Sequence, residues 1–343
     1  MSAERAADAK ILVIGPSWVG DMVLAQSLFK VLKAQNSTTI IDVAAPGWTL
    51  PLLERMPEVN AAIPLPFSHG KLDLGQRVKI GKSLRDRGYT EAILLTNSFK
   101  SAILPFVAGI PKRTGYAGEF RYGLLNNIRP LDEKKLPRTV DRFVALGLEP
   151  SQSLPIELPE PHLIANGKNA LQAMERLGHQ VPQTPVLGLC PGAEYGPSKR
   201  WPAEYYAEVA NQALRNNWEV WLFGSEKDAE VTRSINVMTN QSCLDLGGRT
   251  NLAEAIDLLS LTSAVVSNDS GLMHVSAALS KKIISIFGSS DPHHTPPMSS
   301  EAVIHYLGLS CSPCFARSCP LGHLNCLNHI LPEQVASSLW SDR

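Results

Sequence analysis

The chain has 343 residues, enough for two domains of ordinary size. Its 32 Lys and Arg residues balance 32 Asp and Glu, which argues against a general nucleic-acid binder, and its 44% apolar content excludes disorder. Six cysteines are too few for a disulfide scaffold, and the apolar stretch 101–111 falls short of the roughly 18 residues of a membrane span.

Residues 1–10, MSAERAADAK, are polar and lack the apolar core of a signal peptide, so a cytoplasmic location is expected. The run ILVIG at 11–15 reads as a buried parallel strand. Leu24, Leu28, Val31 and Leu32 then follow helical spacing. Further strands are predicted over 40–44, 61–64 and 91–96, with a charged helix over 72–87. The segment 149–161 holds four prolines and no helical period, and reads as a linker. The alternation then restarts. Strands are predicted over 186–190, 218–224, 264–267 and 283–288, and helices over 202–216, 226–239 and 270–279. Asn251 and Glu254 have capping-box spacing before an apolar run. The expected architecture is α/β: two doubly wound, Rossmann-like domains, 1–155 and 156–343, facing across a cleft.

Such sheets bind ligands beyond the carboxyl ends of their strands, which directs attention to four loops. In 15–21, GPSWVGD, the GxxxxG spacing is followed by Asp21-Met22, so a Walker A loop is excluded. Asp21 is either a proton acceptor or a helix cap. In 268–274, NDSGLMH, the small Ser270 and Gly271 open a helix whose dipole favours an anion. His274, one turn on, can donate to the same phosphate, unless it and Asp269 are merely core and cap residues. In 191–202, PGAEYGPSKRWP, Gly192 allows close backbone approach, and Lys199 and Arg200 can neutralise a leaving phosphate or form a solvated pair. Glu226 either holds ribose hydroxyls or serves as helix-start charge. Near the carboxyl end Cys311, Cys314, Cys319 and Cys326 fall within 16 residues, as thiols or as ligands of one structural zinc or iron.

Four blocks, ILVIGPSWVGDMVLAQSLFKVLK, NSFKSAILPFVAGIPKRTGY, PGAEYGPSKRWP and NDSGLMHVSAAL, together resemble the lipopolysaccharide core heptosyltransferase family over about 10–332. The resemblance implies a glycosyltransferase B-type fold. It implies inverting transfer of a heptose from ADP-heptose to the first heptose of the inner core, with no cofactor needed for catalysis. Asp21 then matches the general base, Lys199 the lysine at the diphosphate, and Glu226 the ribose acid. Asp269, Ser270, Gly271 and His274 match the donor loop. Lys100, Arg113 and Arg121 are the expected acceptor cations, facing an acidic glycolipid at the inner face of the cytoplasmic membrane through peripheral contact. Two other readings stand beside this one: a related B-type transferase with another core acceptor, and a metal-tethered interaction module.

Overall fold

The computed structural model describes residues 9–67 and 72–340. The polar stretch 1–8 read above lies outside them. The chain forms two compact units, Met1–Pro161 and His162–Arg343. The division falls six residues beyond the expected 155/156 boundary, inside the same proline-rich segment. Two hydrogen bonds account for the shift: Ser27 Oγ donates to Pro159 O at 2.7 Å and Lys30 Nζ to Glu160 O at 2.6 Å, tying that stretch to the first unit.

The first unit has strands β1 (Lys10–Ile14), β2 (Ile40–Pro46), β3 (Ala61–Leu65), β4 (Glu91–Leu94), β5 (Lys112–Tyr116) and β6 (Asn127–Arg129). All pair in parallel, in the order β3-β2-β1-β4-β5-β6. Ile11, Leu12 and Val13 of β1 are fully buried because a central parallel strand is covered on both faces. The helices are α1 (Val19–Gln35), α2 (Leu50–Leu53), α3 (Leu74–Ser83), α4 (Phe99–Val107) and α5 (Thr139–Leu146). The charged helix expected to reach residue 87 ends at Ser83, followed by a 3-10 turn and Gly88 at φ 72°. The apolar stretch 101–111 begins inside α4, which buries Ser101 to Pro105.

The second unit repeats the plan. Its strands are β7 (Val186–Cys190), β8 (Glu219–Leu222), β9 (Leu244–Asp245), β10 (Ala264–Asn268), β11 (Lys282–Phe287) and β12 (Ala302–Tyr306). They also pair in parallel, in the order β12-β11-β10-β7-β8-β9. Helices α6 (Gly167–Leu177), α7 (Ala203–Arg215), α8 (Ala229–Met238), α9 (Leu252–Leu259), α10 (Gly271–Ala278), α11 (Asn325–Asn328) and α12 (Pro332–Trp340) complete it. Asn251 and Glu254 form the expected capping box at the start of α9. Trp201, Tyr206 and the inward residues of β7, β8, β10 and β11 form its core with α7, α11 and α12.

Both sheets therefore have the same order, with the first strand of each unit beside the fourth. The chain reverses its winding direction there, between β1 and β4 and between β7 and β10. These switch points are where doubly wound sheets leave a crevice for ligands. Among the described residues no helix is long and apolar enough to cross a membrane.

Candidate functional site

In the second unit the switch point brings the loop after β7 against the loop after β10. Asn268, fully buried at the end of β10, stitches the two together: its Nδ2 donates to Pro191 O at 2.6 Å, and its Oδ1 accepts the Trp201 N–H at 3.0 Å. This places Lys199 over the start of α10. Lys199 Nζ pairs with Asp269 Oδ2 at 2.5 Å, and the Ser290 hydroxyl donates to the same oxygen at 2.5 Å. Ser290 lies just past the end of β11, on the same carboxyl edge. The sequence reading missed it, although a small polar residue directly after a buried strand is a signal for that edge.

Ser270 is the N-cap of α10 and Gly271 its first residue, so the leading N–H groups of the helix carry no side-chain cap. His274 is 5% exposed, and its Nδ1 is buried without a hydrogen-bond partner among the described residues. Burial pushes its pKa down to about 4, with Asp269 opposing and Lys199 reinforcing the shift. The ring is thus neutral near pH 7, and one of its nitrogens carries a proton to donate. Glu226 is exposed, at the start of a 3-10 turn after β8. That turn is closed by Ser225 and Asp228, whose Oδ2 accepts both the Ser225 N–H and its hydroxyl. Gly192 lies against the Asp228 carboxyl group, too close for any Cβ. Its glycine character is thereby explained by packing against the turn that carries Glu226.

In the first unit a cavity of about 750 Å³ opens at the switch point. Asp21, Trp18, Trp48, Thr96, Lys100 and Arg142 are among its lining residues. The N-cap of α1 is Trp18, so Asp21 is the third helical residue and not the cap. Of the three expected acceptor cations the structure brings only Lys100 to this cavity. Arg121 is 2% exposed, and its guanidinium donates to Thr96 O, Tyr116 O and Asn97 Oδ1. Arg113 donates to Leu124 O and Ile110 O, each at 2.6 Å, and lies over the Phe106 ring. Both arginines brace loops by filling backbone acceptors. A basic cluster in sequence cannot distinguish this use from ligand binding.

The cysteine segment docks beneath the Lys199 loop. Cys314 and Phe315 N–H groups donate to Ser289 O, the Tyr195 hydroxyl donates to Phe315 O, and Ser198 N–H donates to Arg317 O. Cys311, Cys314, Cys319 and Cys326 line one cavity of about 20 Å³ as free thiols. Among the described residues, however, no three His, Cys, Asp or Glu side chains form a group that could hold a metal ion. The expected zinc or iron thus has no support among the described residues. Backbone N–H groups, led by that of Leu324, lower the Cys319 pKa, while burial raises that of Cys326.

The model of glycosyltransferase family 9 (heptosyltransferase) matches residues 77–325. The chain belongs to that family. It is 44% identical over 340 residues to lipopolysaccharide heptosyltransferase 2 of Escherichia coli K12, covering 96% of this chain and 97% of that protein. It is 45% identical over 342 residues to the enzyme of the same name from Salmonella typhimurium LT2, covering 97% and 98%. Among solved structures, E. coli ADP-heptose lps heptosyltransferase II superposes with a TM-score of 0.86 at 43% identity, over 96% of this chain and 97% of that one. A family 9 glycosyl transferase from Veillonella parvula shares the fold at a TM-score of 0.84 and 19% identity, over 99% and 98%. As a family 9 member the chain is a glycosyltransferase, a heptosyltransferase of lipopolysaccharide biosynthesis, with two Rossmann-like units of the glycosyltransferase B type. The reading as a non-enzymatic module falls away.

Proposed function

We propose that this heptosyltransferase moves an L-glycero-D-manno-heptose residue from ADP-heptose to the first heptose of the lipopolysaccharide inner core, with inversion. The observation that carries the choice of substrates is 44–45% identity to lipopolysaccharide heptosyltransferase 2 along nearly the whole chain. The acceptor is a heptosylated Kdo-lipid A, met at the cytoplasmic face of the inner membrane by peripheral contact.

The chemistry follows from charge. The acceptor hydroxyl oxygen attacks the anomeric carbon while the bond from that carbon to the diphosphate oxygen breaks. The hydroxyl proton passes to the Asp21 carboxylate, and ADP leaves with the bonding electron pair. One displacement inverts the centre and needs no enzyme nucleophile. Lys199 neutralises the charge that grows on the diphosphate, helped by the uncapped N–H groups at Ser270 and Gly271. His274, neutral in its buried seat, donates a hydrogen bond to the leaving group. Asp269 and Ser290 hold Lys199 in position before the donor arrives, so little reorganisation is needed at the moment of transfer. Glu226 accepts the ribose hydroxyls, supported by its exposure beside the end of β8 and by the Gly192–Asp228 packing beneath it. Lys100 meets an anionic group of the acceptor. No step in this scheme is assigned to a metal or cofactor.

The test is incubation with ADP-heptose and a lipid A acceptor bearing Kdo and one heptose, read by mass spectrometry. The expected product is heavier by one heptose. Transfer to the acceptor lacking heptose, with none to the heptosylated one, would overturn the acceptor assignment.

A further inference from the structure

We propose that Trp18 and Trp48 form the platform on which a pyranose ring of the acceptor glycan lies, beside Asp21. The inference rests on the transferase reading above and names residues that the four sequence blocks leave without a role.

A tryptophan in a water-soluble protein usually buries its indole, as Trp201 and Trp221 do here at 1% exposure. Trp18 and Trp48 instead leave 46% and 48% of their surface exposed, and both line the same cavity as Asp21. They are also placed by design of the backbone. Trp48 sits in the 3-10 turn Gly47–Thr49 after β2, and its indole N–H donates to Ser17 O at 2.9 Å. That bond ties the loop after β2 to the residue preceding Trp18. Trp18 is the N-cap of α1, three residues before Asp21, so the two lie within one helical turn. A ring seated on this pair is thus brought close to the carboxylate.

The polar groups of the cavity choose the occupant. Aromatic faces suit either a sugar ring or a nucleobase. A nucleotide, however, brings phosphate, which is best held by a helix N-terminus. Helices α1, α4 and α5 start at this cavity, and the starts of α1 and α4 are already supplied with an acid. Asp21 occupies the first turn of α1, and Glu119 Oε2 accepts the Phe99 N–H at the start of α4 at 2.7 Å. Both acids line the cavity. Those ends repel a diphosphate and suit an array of hydroxyls. The rest of the wall offers the neutral hydrogen-bonding groups Ser17, Asn97, Ser98 and Thr139, with Arg77 and Arg142, whose guanidiniums donate to Leu72 O and Lys100 O and to Leu136 O. Lys100 adds a cation for which no ion pair occurs among the described residues. A glycan with many hydroxyls and few charges fits that lining.

The experiment uses the full-length protein and its Trp18→Ala, Trp48→Ala, Trp48→Phe and double-alanine variants. Steady-state transfer is measured against both substrates. Loss of an aromatic contact of this kind should raise the acceptor KM about tenfold, leave the donor KM within about twofold, and be largely rescued by Trp48→Phe. Both side chains are half exposed, so the melting temperature should hold. An unchanged acceptor KM in the double variant overturns the platform, and an equal rise in donor KM assigns the indoles to the nucleotide instead. A separate readout does not depend on transfer. The deacylated Kdo-heptose oligosaccharide should quench wild-type tryptophan fluorescence and leave that of the double variant unchanged. Equal quenching of both proteins would overturn the proposal. A wild type that transfers nothing from ADP-heptose, yet shows selective quenching, would sink the donor assignment and leave the platform standing.

Discussion

Asp21 and His274 show how one side chain type can be read two ways until its neighbours are known. Asp is a favoured helix cap, and by spacing alone Asp21 served either role. Its place as third residue of α1, with Trp18 at the N-cap, removes the N-cap role and puts the carboxylate in a large cavity. Asp21→Asn should therefore keep fold and donor affinity while lowering kcat by about 10²–10⁴, the usual cost of losing a general base. More than half of the wild-type rate in a transfer assay would be incompatible with the base role. Lys199→Ala should raise the donor KM by roughly tenfold to a hundredfold, since a charge-assisted contact is worth about 1.5–3 kcal/mol. ADP titration by calorimetry checks it. His274 adds a pH signature. Burial depresses its folded pKa to about 4 from an ordinary 6.5. Between those values the unfolded chain binds more protons, so stability is present above about pH 6.5 and is lost as pH falls towards 4. The loss between pH 7 and pH 5 should be about 2 kcal/mol. Urea unfolding at the two pH values should show a loss larger by about that amount in the wild type than in His274→Gln.

Strands and helices differed in how much of them the sequence disclosed. The central strands β1, β7, β10 and β11 were legible because burial on both faces leaves unbroken apolar runs bounded by Gly, Pro or Ser. Edge strands β6, β9 and β12 were not. Asn127–Arg129 and Leu244–Asp245 are too short to show a period, and Ala302–Tyr306 is only partly buried. Helix α4 was hidden by Pro105 within an apolar stretch, and α5 and α6 lie on either side of the proline-rich segment that drew attention as a linker. The cysteine tail was legible as an unusual segment but not in its purpose. Its backbone contacts make it a brace under the Lys199 loop. Gly196 is the contact point: it sits at φ 156°, and a Cβ there would fall within clash distance of Arg317 O. Gly196→Ala should thus push the tail off the loop. We expect a fall in stability of about 1–3 kcal/mol, as for strained backbone positions, together with a raised donor KM. Thermal melts and donor kinetics measure the two effects. A lower melting temperature with unaltered donor kinetics would show that the tail stabilises the unit without positioning Lys199.

At the scale of the molecule, two copies of one topology carry different residues at their switch points. Both sheets have the same strand order, and both switch points hold polar residues, yet the charged groups there are arranged differently. The first unit sets an acid in the opening turn of α1, where a phosphate would otherwise bind. The second leaves the start of α10 open and adds Lys199. The doubly wound architecture was readable from strand and helix alternation. The proposed division of labour rests on residues such as Asp21 and Lys199, because a fold supplies the crevice and side chains decide what enters it. Each unit also carries its own sheet and its own hydrophobic cluster. At about 180 residues the second is within the range that folds alone. The residues proposed to bind the donor, Lys199, Glu226, Asp269, Ser270, Gly271 and His274, belong to it entirely. The fragment 162–343 should therefore unfold cooperatively and bind ADP with an affinity within about tenfold of the full chain, or about 1.4 kcal/mol. It should catalyse no transfer, because Asp21 is missing. Circular dichroism melts and calorimetric titration of the fragment with ADP are the measurements. A folded fragment with no ADP affinity would mean that the donor site draws essential contacts from residues before 162, and the assignment of donor binding to one unit would have to be abandoned.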